Sequence, residues 1–181
     1  MKKQILILKL VGLKLIDMET LNESSLSRTK AYIENYDCCT ISAFRPTNKL
    51  KNKEQSGKLG IEIRKLGYTH FMVDGSWVDN FGTSNASESK ELTYFVVNSN
   101  FDKEFVEKMK KLGEKFDQDA IMIYPKGKKP YLIGTSKRKD SWPGYGKIVQ
   151  QNKVEFGKEA KAMTRVNGRP YHASIDSYFN Y

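Results

Sequence analysis

Residues 92–97, Leu-Thr-Tyr-Phe-Val-Val, are apolar, aromatic or β-branched on both alternating faces. A strand with two such faces has to be covered on both sides, so 91–98 predicts a central strand. Directly downstream the period changes. Phe101, Phe105, Met109, Leu112 and Phe116 recur at helical spacing, which predicts a helix over 101–116 with one apolar side. Ser99-Asn-Phe-Asp102 ahead of it resembles a capping box with Asp in the closing position.

The rest of the chain is read around this pair. Residues 4–16 form an apolar run broken by Lys9 and Lys14 and predict a strand, with a membrane-surface helix as the alternative. A helix follows over 21–36, capped by Ser24 or Ser25. Residues 38–44 are β-prone, and Pro46 ends that strand because it has no N–H for a ladder. Leu59, Ile63 and Leu66 mark a helix over 49–66, and Gly67 stands just past its end. Residues 69–78 predict a strand, 80–90 a polar loop, 119–124 a strand, and 131–134 its hairpin partner.

Strand, helix, strand, strand, helix, strand is the order of a ferredoxin-like split βαβ core. The predicted fold class is α+β: an antiparallel sheet with helices on one face, an N-terminal strand–helix, and an irregular basic C-terminal extension. The expected division is 1–37, 38–135 and 136–181.

Charge sets the expectation for partners. Residues 126–169 hold twelve Lys or Arg against three acids, out of a chain total of +10. Lys126, Lys128, Lys129, Lys137, Arg138, Lys139, Lys147, Arg165 and Arg169 are interleaved with aromatic residues, Trp142 and Tyr145 among them. Cations for phosphates and rings for bases suit single-stranded nucleic acid. The pattern predicts a non-enzymatic DNA- or RNA-binding protein that acts through these residues. The alternatives are a virion structural or host-interaction (anti-defence) component, and a metal-dependent nuclease built on Asp74, Asp119 or His172. The expected location is the cytoplasm of an infected bacterial host, or the virion.

Six segments together carry a resemblance. They are Ile41-Ser-Ala-Phe-Arg45, Gly67-Tyr68, Phe116-Asp-Gln-Asp119-Ala, Trp142-Pro-Gly-Tyr-Gly-Lys147, Phe156-Gly-Lys158 and Thr164-Arg-Val-Asn-Gly-Arg-Pro170. The pattern is similar to a family of small uncharacterised proteins found in bacteriophages and some bacteria. The resemblance implies a phage context and carries no activity or catalytic residue with it.

Other chemistry is sparse. The only cysteines, Cys38 and Cys39, are adjacent and read as strand filling in a reducing compartment. With two histidines and no H-x-x-x-H or C-x-x-C, no metal site and no cofactor are implied. His172-Ala-Ser174 has the form of half a two-histidine phosphoesterase motif, and His70-Phe-Met72 does not complete it. Trp142–Lys147 has the glycines of an anion-holding turn without P-loop spacing. Arg45, at the end of a strand, is a candidate to hold an anion, or to pair with Asp119 or Glu91.

Overall fold

The computed structural model describes residues 26–45, 49–79, 84, 87–158 and 163–174. The strand expected over 4–16, the caps at Ser24 and Ser25, Pro46 and most of the loop over 80–86 lie outside the described residues. Three helices are described: α1 (Leu26–Asn35), α2 (Lys49–Lys65) and α3 (Phe105–Lys115). The strands are β1 (Cys38–Ser42), β2 (Thr69–Asp79), β3 (Ser87–Val97), β4 (Ala120–Tyr124) and β5 (Tyr131–Gly134), then β6 (Ile148–Gln150), β7 (Lys153–Phe156), β8 (Thr164–Val166) and β9 (Arg169–Ser174). They form one sheet in the order β6-β5-β4-β1-β3-β2-β8-β9-β7. Every pairing within it is antiparallel.

Alternation divides the apolar residues between two cores. On one face Cys39, Ile41, Tyr94, Val96, Ile121 and Ile123 pack under Leu59 and Ile63 of α2 and under Phe105, Met109 and Leu112 of α3. On the other face Cys38, Val73, Phe95, Val97 and Tyr124 meet Val166 and Tyr171, with Leu26, Tyr32 and Ile33 of α1 against them. β3 is the fifth of nine strands, and Phe95, Val96 and Val97 are fully buried.

The second face is concave. Tyr124 on β4 and Tyr171 on β9 are five strand steps apart, about 24 Å on a flat sheet. Their ring centroids are 6.4 Å apart, and Tyr171 also meets Phe95 at 6.5 Å. The sheet therefore curls through its right-handed twist into a half-barrel with these rings inside.

This replaces the expected ferredoxin-like core with an irregular extension. The segment after 136 supplies four strands: β6 lengthens the sheet beside β5, while β8, β9 and β7 lengthen it beyond β2. Short strands of three to six residues leave too little periodicity to read in a glycine-rich stretch. Helices also lie on both faces rather than one.

Two local expectations change as well. Ser87–Lys90, read as loop, are strand residues paired with Ser76–Asp79. α3 begins at Phe105 rather than at 101. Phe101 has a positive φ of 53°. Asp102 is fixed in a turn by Asn98, whose Oδ1 accepts from its N–H at 2.8 Å and whose Nδ2 donates to its carbonyl at 2.9 Å.

Candidate functional site at one end of the sheet

Three motif segments that are far apart in sequence meet where β1 ends and β4 begins. Arg45 follows β1, and Asn52 of α2 clasps its backbone with two hydrogen bonds of 2.9 Å. Its guanidinium lies 3.4 Å from Asp117 and 3.6 Å from Asp119. Arg138 reaches the same two acids, Asp117 at 3.6 Å and Asp119 more closely. Ser136 Oγ accepts from the backbone N–H and Nε of Arg138. Gln118 Nε2 donates to the carbonyls of Phe44 and Phe116. Burial lowers the Arg45 pKa and the charge of Arg138 adds to that, while Asp119 and Asp117 oppose it. The expected pair between Arg45 and Asp119 is present, inside a four-membered network. Arg45 Nε is buried with no hydrogen-bond acceptor.

Beside this network the concave face turns polar. Register places Ser42 opposite Thr93, Gly75 opposite both Glu91 and Thr164, and Trp77 opposite Ser89, all on the face of Phe95 and Tyr171. Gly75 has no side chain for a steric reason: a Cβ there would run into Thr93 Oγ1 and press on Glu91 Cγ. Both side chains thus lean over β2. Thr93 Oγ1 is buried with no partner, and Ser42 Oγ donates to the Leu92 carbonyl.

The segment after β5 approaches this mouth. A Cβ on Gly134 would collide with the carbonyl of Gly144, so the segment sits directly on β5. Gly146 N–H donates to the Gly134 carbonyl, and Gly134 N–H to the Lys147 carbonyl, both at 2.9 Å. From there Trp142 meets Trp77 of β2, with centroids 6.2 Å apart and planes at 44°.

On the helix side lies a cleft of about 710 Å³ lined by Lys111, Lys115, Lys137 and Arg138 with Glu114 and Asp117. Lys137 and Tyr145 belong to this region, and Lys139 and Lys147 are exposed on the same segment. Lys126, Lys128 and Lys129 occupy the β4–β5 turn at the opposite end of that hairpin, all exposed. Arg165 lies on β8 opposite Asp74, and Arg169 opens β9. The structure thus gathers Lys137, Arg138 and Tyr145 on the helix side, with Lys139 and Lys147 on the same segment, sets Trp142 at the mouth, and leaves Lys126, Lys128, Lys129, Arg165 and Arg169 apart.

Asp74 and Asp119 do not converge, because β3 and β1 stand between their strands. His70 packs on Tyr94, and His172 lies 3.6 Å from Glu155. Among the described residues no His, Cys, Asp or Glu group is arranged to hold a metal ion, and no helix is long and apolar enough to cross a membrane. Sequence reasoning missed Thr93, Glu91 and Trp77 as site residues. Their common parity along β2 and β3 was the available signal, and it becomes usable only once the hairpin register is known.

Comparison with curated proteins and with solved structures gives no match. A protein-family model, described as the S-adenosylmethionine lyase family, matches residues 39–174, from the second residue of β1 to the last of β9. An enzyme family overturns the expectation of a non-enzymatic nucleic-acid-binding protein, which rested on basic residues interleaved with aromatic ones in the sequence. With nearly the whole sheet inside the match, the chain belongs to the S-adenosylmethionine lyase family.

Proposed function

We propose that this protein cleaves S-adenosylmethionine at a carbon–sulfur bond without water, in the concave mouth at the end of the sheet. The family match over 39–174 is the observation that carries this reading. The chemistry of the mouth supports it. The substrate is a net cation with a sulfonium, an ammonium, a carboxylate and a flat purine. Glu91 supplies negative charge, and Trp77 and Trp142 supply apolar planes that attract cations and stack on bases. Buried Thr93 Oγ1 has hydrogen-bonding capacity unused, which a ligand hydroxyl would take up. The cleft on the helix side, with four cations against two acids, repels a net cation and is the poorer choice.

The reaction that asks least of the protein is intramolecular. One oxygen of the substrate carboxylate attacks Cγ as the Cγ–S bond breaks. The electron pair goes to sulfur, giving neutral 5′-methylthioadenosine and a five-membered homoserine lactone. No proton moves, so no base is required. Both histidines lie on even-numbered strand positions of the opposite face. The protein's contribution is to fold the methionyl chain onto itself and exclude water, a matter of orientation and desolvation.

Incubation with S-adenosylmethionine in heavy-oxygen water tests this. Methylthioadenosine with unlabelled lactone is expected. Unchanged substrate overturns the reading, and homoserine as first product with label from water replaces the lactone route by hydrolysis. The motif pattern also supports an origin in a bacteriophage or a bacterial relative.

A further inference from the structure

Beyond the bonds of Ser136 to Asp119 and Asp117 and the contact of Trp142 with Trp77, the segment 136–147 is tied to the body at three further places. Arg138 binds Asp117 and Asp119. The backbone around Gly146 is bonded to Gly134. The third tie is Tyr145, whose hydroxyl donates to Glu114 Oε1 of α3 at 2.7 Å. The ammonium groups of Lys110, on α3, and of Lys137 lie 5.0 Å and 4.9 Å from its ring centroid. Tyr145 is nonetheless 43% exposed and lies on the helix side, away from the mouth. Three residues before it, Trp142 is half-buried against Trp77. One short turn thus carries a clasp on the outside of the molecule and an aromatic plane at the mouth.

We propose that Tyr145 is a positioning residue for the reaction: by holding α3 through Glu114 and Lys110 it fixes Trp142 against Trp77 and shapes the mouth that receives the substrate. This rests on the reading of that mouth as the S-adenosylmethionine site. The ring alone, with both ammonium groups near its centroid, retains the cation–π attraction. The hydroxyl adds a charge-assisted hydrogen bond that sets the rotation of the turn.

The chain has two tryptophans, and they are the pair in question. Coupling between their indoles gives a circular-dichroism couplet that reports their mutual geometry without any substrate. Tyr145→Ala and Glu114→Ala are expected to shrink the couplet at unchanged backbone spectrum. Tyr145→Phe is expected to raise KM for S-adenosylmethionine about five-fold, the weight of one hydrogen bond, with kcat nearly unchanged. A full-strength couplet together with wild-type KM in these variants overturns the proposal. Should Tyr145→Ala fail to fold, Tyr145→Phe and Glu114→Ala carry the same two readouts. If the wild-type protein makes no methylthioadenosine, the substrate reading falls, while the couplet still decides whether Tyr145 sets Trp142.

Discussion

Asp102 shows how much one side chain organises here. It accepts from Tyr68 Oη at 2.5 Å, from Lys108 Nζ at 2.8 Å and from the Glu104 N–H at 2.9 Å. The bonds from Lys108, Tyr68 and Glu104 hold its carboxyl down at about 2, against about 4 in an unfolded chain. Burial and the bond to Asp102 push the Tyr68 hydroxyl up. A depressed acid adds stability above its unfolded value and loses it as pH falls through its folded value. The contribution is therefore complete above about pH 5 and fades between about pH 4 and about 2. In thermal melts, the gap between wild type and Asp102→Asn is expected to be constant at neutral pH and to close across that window. Asp119→Asn removes one of two carboxylates shared by Arg45 and Arg138. With Arg45 at 18% side-chain exposure, the cost lies between that of a surface pair and a buried one, about 1–3 kcal/mol, read as a lower urea midpoint. Glu91→Gln keeps the shape of the mouth and removes its charge. It is expected to lower kcat/KM for S-adenosylmethionine about ten- to hundred-fold, the weight of a charged contact.

At the scale of elements, legibility follows length. The strand around Phe95 and the helix ending at Lys115 show in the sequence because each runs long enough to display its period. Thr164–Val166 and Ile148–Gln150 do not: three residues cannot distinguish a strand from a turn. Ser87–Lys90 is polar because the hairpin it forms with β2 carries exposed residues there, and polarity reads as loop. Arg45 and its partner Asp119 were legible from their positions at strand ends. Glu91 and Trp77 were not, since neither has local meaning until β2 and β3 are in register. The turn that bears Trp142 depends on a bare backbone at Gly134. Gly134→Ala is expected to cost about 1–3 kcal/mol by overpacking and to reduce both the tryptophan couplet and substrate cleavage. Wild-type values for all three would show that the Gly144 carbonyl can move aside.

At the scale of the molecule, the curl is held by rings. Tyr171 is fully buried and meets Phe95, Tyr124 and Phe156. Tyr171→Ala removes the contact that closes β9 over β4. The expected loss is about 3–5 kcal/mol, with amide exchange rising first in β7, β8 and β9. Uniform loss of protection across all strands would instead mean that the curl and the sheet unfold as one unit. The order of synthesis adds a consequence. β3 and β4 leave the ribosome well before Tyr171, so Phe95 and Tyr124 wait only partly covered, by α1, until the closing hairpin is translated. A growing polypeptide halted after β5 would display that greasy hollow to every neighbour, and chaperone capture or clumping should peak at that length of nascent chain.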